Sequence, residues 1–273
     1  MGRGKDMVEQ SSQFIGSIPQ NYDEGLGPHI FESYAHDLAG RAASSSPDAV
    51  LELAAGTGIV TRALRAALPA RCRLIATDLN PPMLAVAREK FSDPDANVEF
   101  RQLDAMDIVY PESSFDVVVC QFGVMFFPDK VRSYQEVRRV LRPGGRYVFN
   151  VWDTWEENAF ARITHETVET FFPDDPPGFY RVPFSYNDPD TIREAVGEAG
   201  FTDISLTHVP VTSRIPDASR FAQGLVFGNP LIDEIVDRGA DPNPIRDAVS
   251  AALARELGAK MRIRALVVEA SVP

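Results

Sequence analysis

The chain has 273 residues, 44% of them hydrophobic and 10% aromatic, which is enough to bury one large core or two modest ones. Asp and Glu outnumber Lys and Arg by 39 to 27, and the net charge of -12 disfavours nucleic acid and anionic membrane surfaces as partners. No stretch approaches the roughly 18 consecutive apolar residues of a membrane span, so we expect no membrane insertion.

Cysteine usage and the N-terminus suggest a cytoplasmic protein. The two cysteines, Cys72 and Cys120, lie inside apolar runs, and we expect both to be buried and reduced. Residues 1–13 contain no apolar segment and are expected to form a disordered tail. Residues 14–46 are expected to form an N-terminal helical cap, with Pro28 in the first turn of a helix and Gly40 at its end.

Between residues 47 and 152, short β-rich runs alternate with amphipathic stretches. The predicted strands are AVLEL, RLIAT, NVEFRQL, FDVVVCQF and RYVFNVW. Strands that alternate with helices predict right-handed crossovers and a parallel sheet covered on both faces. The FDVVVC run is apolar almost throughout, as a central strand buried on both sides requires.

After residue 152 the pattern loosens and then becomes regular again. We predict a helix near 157–172, a proline-rich loop over the site, a helix at DPDTIREAVGEAG, a strand at FTDISLTHVPVT, a helical segment at 217–257 and a final strand. The expected fold is therefore α/β, a doubly wound, mostly parallel, seven-stranded sheet. Residues 153–273 are expected to add lid helices and the last strands to the same domain.

The stretch VLELAAGTG, which ends the first strand, indicates a nucleotide site. A glycine-rich turn between strand and helix can hold a pyrophosphate, and Asp78, 20 residues after Gly58, suits the acid that binds a ribose in a dinucleotide site. That fingerprint, however, requires Gly or Ala where this chain has Thr61. The Glu52 carboxylate beside the turn would repel a pyrophosphate and favours a ligand that carries a cation.

Five stretches, LELAAGTG, ATDLN, RQLDAMD, FDVVVCQFGVMFFPD and LRPGGRYVF, agree in order and spacing with one family. The chain resembles the class I S-adenosylmethionine-dependent methyltransferases, in particular the small-molecule group that includes the ubiquinone and menaquinone biosynthesis methyltransferases. The resemblance implies a Rossmann-like fold, S-adenosyl-L-methionine as cofactor and methyl transfer to a small-molecule acceptor. In the first of these stretches, LELAAGTG, the chain has Ala54 where the family usually has a glycine.

The resemblance also implies the cofactor site. Asp78 would bind both ribose hydroxyls, Asp104 with Ala105 would hold the adenine, and Tyr22 would cover the ligand. Three simpler interpretations stay open: that Glu52 only binds the amides of the turn, that Asp78 belongs to the start of the next helix, and that Asp104 is a plain loop acid. The expected cofactor-binding residues are Tyr22, Glu52, Ala54, Gly56, Gly58, Asp78, Leu79, Met83, Asp104, Ala105, Gln121 and Phe122.

The mechanism that the resemblance implies is in-line displacement of the methyl group, driven mainly by alignment and exclusion of water. Met125 and Phe126 replace the histidine pair often found in the family's fourth-strand loop, so we assign no general base. Candidates for contact with the acceptor are Tyr22, His165, Tyr180 and Arg181. Of these, His165 is better suited to packing in a lid helix than to contact with the acceptor, and Arg181 would favour an acidic acceptor.

Two other functions remain open, an oxidoreductase that uses an NAD-type dinucleotide and a cofactor-binding module without catalysis. The second would have little use for the helical segment of about 40 residues between the last two strands. No group of Cys, His and Asp residues has metal-ligand spacing, so we expect no metal.

Overall fold

The computed structural model describes residues 13–91 and 97–273, and these residues contain one seven-stranded sheet. The expected disordered tail therefore lies almost wholly outside the described residues. The strands are β1 (Ala49–Leu53), β2 (Arg73–Asp78), β3 (Val98–Gln102), β4 (Phe115–Gln121), β5 (Leu141–Trp152), β6 (Thr202–Arg214) and β7 (Lys260–Ser271).

The strand order is β3-β2-β1-β4-β5-β7-β6, and β7 alone among these strands runs antiparallel to its neighbours. The prediction of a doubly wound, mostly parallel sheet is confirmed. The order reverses between β1 and β4, which leaves a crevice at the carboxyl ends of these two strands. All five residues of β1 are buried, because helices cover the sheet on both faces.

Ten α-helices surround the sheet in the described part of the chain. They are α1 (Ile18–Gly25), α2 (Glu32–Ala43), α3 (Ile59–Ala67), α4 (Pro81–Glu89), α5 (Lys130–Val140), α6 (Ala159–Glu169), α7 (Pro189–Glu198), α8 (Ala218–Phe227), α9 (Leu231–Asp237) and α10 (Pro242–Glu256). Helices α8, α9 and α10 lie between β6 and β7 in sequence, where the helical segment is predicted.

The predicted start and end of the first helix are wrong. Pro28 lies in a five-residue π-helical turn, Gly27–Phe31, that joins α1 to α2, and Gly40 lies inside α2. A Cβ atom at position 40 would meet no other atom within 4 Å, so this glycine serves neither a turn nor a close contact. Gly40 therefore does not end the helix, although it lies near the end of the apolar pattern.

The loops after β1 and β4 press against each other at the crevice. Ala54 and Phe122 both adopt the left-handed backbone conformation, with φ of 52° and 49°, which costs free energy in any residue except glycine. A Cβ atom on Gly123 would lie 2.5 Å from Cβ of Ala54 and 2.8 Å from Sγ of Cys120. The missing side chain of Gly123 therefore sets the distance between the two loops.

We expect the substitution Gly123→Ala to lower the free energy of unfolding by about 1–3 kcal/mol, because the added methyl group overlaps two fixed neighbours. Gly40→Ala is the matched control, since its methyl group points into open space in a helix and should stabilise by about 0.4–1 kcal/mol. Urea unfolding of both variants measures the difference. Equal stability of the two would contradict the tight contact.

Candidate functional site

The crevice opens into a cavity whose empty volume is about 1180 Å³, counting the part open to solvent. Its walls divide by chemistry into two parts. The carboxylate half comprises Ala54, Gly56, Asp78, Leu79, Asn80, Met83, Leu103, Asp104 and Ala105. The aromatic half comprises Phe31, Phe122, Phe126, Phe127, Trp152, Phe160, Phe179, Tyr180 and Phe184.

Asp78 ends β2 and organises the carboxylate half. Its Oδ2 accepts a hydrogen bond from the Gly56 amide at 2.8 Å, and its Oδ1 accepts one from the Asn80 amide at 2.8 Å. Burial raises the pKa of the Asp78 carboxyl, and these hydrogen bonds act against the rise by favouring the ionised form. The carboxylate thus links the loops after β1 and β2.

Asp104 and Ala105 follow β3 and line the same half of the cavity. The Oδ1 of Asp104 accepts a hydrogen bond from the Met106 amide at 2.9 Å, so this carboxylate shapes its own turn. Leu79, with 51% of its surface exposed, and Met83 complete an apolar surface between the two acids. This half of the cavity therefore offers acids at its ends and apolar contact between them.

Glu52 lies behind this wall, in β1, and is 1% exposed. Neither carboxylate oxygen has a hydrogen-bond partner in the described part of the chain, and the hydroxyl of Thr61, also buried, has none either. Burial raises the pKa of Glu52 to about 8, and the negative charge of Asp78 adds to the rise, while Thr61 lies close enough to oppose it. Glu52 does not line the cavity.

Gly56 and Gly58 have different roles in the turn. Gly56, with φ of 56°, lines the cavity, and its amide binds Asp78. Gly58, with φ of 80°, stands just before α3, and a Cβ there would lie 3.0 Å from Cβ of Ala87. Gly58 therefore serves the packing of α3 against α4 and lies outside the cavity lining.

Rings packed on one another form the aromatic half. Phe122 stacks on Trp152 with ring centroids 3.8 Å apart and planes 7° apart, and Phe184 lies on Trp152 at 5.9 Å. Phe126 and Phe179 meet at 6.4 Å. These rings provide a dry, apolar wall opposite the carboxylates.

The polar groups of the aromatic half are few. The Tyr180 hydroxyl donates to the Leu225 carbonyl at 2.8 Å, and burial raises the pKa of Tyr180, so this hydroxyl stays protonated. Nε2 of Gln121 donates to the Phe31 carbonyl at 3.3 Å, and its Oε1 has no partner among the described residues. Among the described lining residues of the whole cavity there is no Lys, Arg or His.

The N-terminal segment covers the cavity. Tyr22 lies on Phe31 with ring centroids 4.8 Å apart, and Phe14 meets both Tyr22 and Phe126 edge-on, at 5.8 and 6.2 Å. The pKa of Tyr22 is raised by burial and by the charges of Asp78 and Asp23. Tyr22 lies over the junction between the two halves.

Two of the candidate acceptor contacts lie elsewhere. His165 is 4% exposed on α6, where Nε2 lies 3.0 Å from Oε1 of Glu169 and the ring packs on Trp155. Arg181 pairs with the same Glu169 at 3.1 Å, and its side chain is 60% exposed. Neither lines the cavity, because the helix and the turn that carry them present Phe160 and Tyr180 to it instead.

The structure thus places most of the expected site residues in the lining of one cavity. These are Tyr22, Ala54, Gly56, Asp78, Leu79, Met83, Asp104, Ala105, Gln121, Phe122 and Tyr180. Glu52, Gly58, His165 and Arg181 stand apart from it. Trp152, Phe160, Phe184 and Asn229 also line the cavity and are not predicted from the sequence; of these, only Phe184 lies in a ring-rich stretch, GFYRVPFSY, that could have indicated it.

The comparisons with known proteins agree on one family. Residues 50–145 match the family of methyltransferase domains. The matched residues include β1 to β4 and the loops after these strands, and these loops carry the carboxylate half of the cavity. Residues 50–145 of this chain are therefore a methyltransferase domain.

The methyltransferase domain has curated relatives in quinone biosynthesis. It is 32% identical to a demethylmenaquinone methyltransferase of Deinococcus radiodurans, over 54% of this chain and 62% of that protein. It is 35% identical to a ubiquinone/menaquinone biosynthesis C-methyltransferase of Hahella chejuensis, over 50% of this chain and 56% of that protein. The chain thus spans less than two thirds of the length of these relatives.

Solved structures share the fold of the methyltransferase domain. The phosphoethanolamine N-methyltransferase 2 of Haemonchus contortus matches all of this chain and 61% of that chain, with a TM-score of 0.64 and 17% identity. The YcgJ protein of Bacillus subtilis matches 88% of this chain and 98% of that one, with a TM-score of 0.55 and 17% identity. These likenesses confirm the Rossmann-like methyltransferase fold.

Residues 13–91 and 97–273 contain neither a membrane-spanning helix nor a metal-binding cluster. No helix there has the length and apolarity needed to cross a bilayer. No cluster of His, Cys, Asp and Glu suited to a metal ion is found there either.

The buried Glu52 carboxyl predicts a specific pH dependence of stability. Its pKa is raised from 4.5 to about 8 on folding, so between these values the folded state binds more protons than the unfolded state. Its contribution to stability therefore decreases as the pH rises through this window, by a few kcal/mol in total. We expect Glu52→Gln to remove this decrease.

Urea unfolding of the wild type and of Glu52→Gln, measured from pH 5 to pH 9, tests this expectation. The variant should gain stability over the wild type as the pH rises. Glu198→Gln, which changes an exposed carboxyl, is the control and should parallel the wild type. A Glu52→Gln curve that also runs parallel to the wild type would show that the carboxyl is already ionised.

Proposed function

We propose that this chain transfers the methyl group of S-adenosyl-L-methionine to a small acceptor held in the aromatic half of the cavity. The observation that carries the proposal is the charge of the lining, which has two carboxylates and, among the described residues, no cationic side chain. A pyrophosphate placed there would face Asp78 without a counter-charge. S-Adenosylmethionine has no phosphate and carries positive charge on its sulfur and α-amino group, so it fits this lining.

The carboxylate half has the donor and acceptor groups that such a nucleoside needs. Oδ2 of Asp78 accepts one backbone hydrogen bond and retains a further lone pair for a ribose hydroxyl. Oδ1 accepts a second, longer bond of 3.3 Å from Nδ2 of Asn80, which a ribose hydroxyl would have to replace. Asp104 can accept a hydrogen bond from the exocyclic amine of adenine, and Leu79 and Met83 offer apolar surface to its ring.

Bound S-adenosylmethionine supplies a methyl group on a positively charged sulfur, which is already a good electrophile. The residues of the chain have two tasks, to align the acceptor with that group and to exclude water. Alignment alone can lower a barrier by about 7–11 kcal/mol. The rings around Trp152 exclude water from the aromatic half, and the N-terminal segment closes the cavity from above.

No side chain of the described aromatic half is suited to act as a general base at neutral pH. Tyr22 and Tyr180 both have raised pKa values and stay protonated, and His165 points to Glu169, away from the cavity. The acceptor must therefore present a lone pair or an electron-rich carbon without help from the protein. The aromatic half also lacks a cation for an anionic acceptor, so the preferred acceptor is neutral and largely apolar.

The two alternative functions fit the cavity less well. An NAD-type dinucleotide lacks a counter-charge for its phosphates, as argued above. A non-catalytic module has no need for a second half of the cavity, whereas here the aromatic half lies next to the carboxylate half. The names of the curated relatives, which belong to quinone biosynthesis, also support a small ring-bearing acceptor.

We expect Asp78→Asn to weaken binding of S-adenosylhomocysteine at least tenfold. The loss of one charge-assisted hydrogen bond costs about 1.5–3 kcal/mol. Isothermal titration calorimetry measures the affinity. Asp203→Asn, at an exposed acid on β6, is the matched control and should bind as the wild type does.

The same titration separates the cofactors. The wild type should bind S-adenosylhomocysteine and show no heat with NAD. The reverse result, with NAD alone bound, would favour the oxidoreductase and defeat the proposed function.

A screen of acceptors with isotopically labelled S-adenosylmethionine tests the proposed chemistry. We expect the labelled methyl group to be transferred to neutral aromatic compounds. The rate of transfer should be at least about tenfold lower with analogues that carry a carboxylate, because an unpaired charge in the aromatic half is costly. Transfer restricted to anionic compounds would contradict the charge argument.

A further inference from the structure

We propose that helices α1 and α8 act as one rigid cover, so that filling the carboxylate half with S-adenosylmethionine orders the aromatic half for the acceptor. Gly224 is the positioning residue in this scheme, and Tyr180 is the group that it positions. The proposal rests on the proposed function and adds an energetic coupling between the two halves.

The first link ties α1 to the carboxylate half. The Thr57 hydroxyl, which is 1% exposed, donates to Oδ1 of Asp23 on α1 at 2.6 Å. Lys90 at the end of α4 forms an ion pair with the same carboxylate. Thr57 lies between Gly56 and Gly58, so a ligand that fixes the Gly56 turn also fixes α1.

The second link is a contact between the backbones of α1 and α8. A Cβ atom on Gly25 would lie 2.5 Å from Cα of Gly224, and one on Gly224 would lie 2.6 Å from the carbonyl carbon of Gly25. Both positions therefore exclude every side chain. Nε2 of Gln223 also donates to Oδ1 of Asn21 at 3.1 Å, across the same pair of helices. Two helices whose backbones touch at such a point shift together.

The third link connects α8 to the aromatic half. The carbonyl of Leu225, the residue after Gly224, accepts the hydrogen bond of the Tyr180 hydroxyl at 2.8 Å and one from Asn229 at 2.9 Å. Phe221 on the same helix is fully buried and meets Phe160 at 5.9 Å. Helix α8 therefore sets the positions of two side chains that line the aromatic half.

Together the three links form a continuous path from Gly56 to Tyr180 through buried or half-buried contacts. A ligand that orders one end lowers the cost of ordering the other, and the coupling is reciprocal. The acceptor would thus bind more tightly after the cofactor than before it.

A second path, through aromatic rings, could join the same two halves of the cavity. Phe14 meets Phe126 edge-on at 6.2 Å, and Phe126 meets Phe179 at 6.4 Å. Such ring contacts are individually worth about 0.5–1.5 kcal/mol, and Phe14 and Phe126 are only partly buried. We therefore assign the coupling to the glycine contact, and a Phe126→Leu variant distinguishes the two paths.

Hydrogen–deuterium exchange of the full chain, with and without S-adenosylhomocysteine, tests the proposal without an acceptor. In the wild type the ligand should slow exchange around Gly56 and also in segment 178–184 of the aromatic half, there by about fivefold or more, the low end of ordinary coupling between sites. In Gly224→Ala the protection around Gly56 should remain, and that of segment 178–184 should fall below about twofold.

Gly197→Ala is the matched control, because a Cβ at that helical position meets Ile204 at an ordinary 3.8 Å. It and Phe126→Leu should keep both protections. Tyr180→Phe removes only the hydroxyl and serves as the test if Gly224→Ala does not fold. It should lose the protection of segment 178–184, while calorimetry shows an unchanged affinity for S-adenosylhomocysteine.

Three results would overturn the proposal. Segment 178–184 of the wild type could show no protection although the ligand binds, or Gly224→Ala and Tyr180→Phe could both retain it. Loss of the protection of segment 178–184 in Phe126→Leu alone would assign the coupling to the ring contacts of Phe126. Absence of any binding in the wild type would instead defeat the proposed function, and the coupling with it.

Discussion

A buried carboxylate links the loops on which the site is built. Asp78 accepts hydrogen bonds from the amides of Gly56 and Asn80, and burial penalises its charge, so these bonds are needed to keep it ionised. They also fix the glycine turn after β1 relative to β2 before any ligand arrives. A site held in this way loses little freedom on binding, which is a general source of affinity.

The division of the cavity into two halves follows from charge and water. The carboxylate half suits a cationic, phosphate-free nucleoside, and the chain as a whole, with a net charge of -12, does not attract phosphate backbones. The aromatic half has almost no polar group of its own, so a polar ligand group there must be satisfied by the ligand or the cofactor. The proposed preference for a neutral acceptor is a consequence of this division.

Much of this arrangement follows from local sequence patterns. The alternation of strands and helices predicted the sheet, and the carboxyl ends of β1, β2 and β3 carry Gly56, Asp78 and Asp104 where the motifs indicate. The aromatic half did not follow, because its residues lie far apart in sequence and only folding brings Phe31, Trp152 and Phe184 together. Nor could a sequence show which side of the turn at 179–181 faces inward, since a short irregular loop has no hydrophobic period.

The central claim is that one cavity holds a positively charged nucleoside between the carboxylates of Asp78 and Asp104. A crystal structure of the full chain with S-adenosylhomocysteine tests it most directly. The account predicts both ribose hydroxyls at about 2.6–3.0 Å from the Asp78 oxygens and the adenine amine at hydrogen-bond distance from Asp104. A nucleoside bound elsewhere, with both carboxylates turned away from it, would contradict the account.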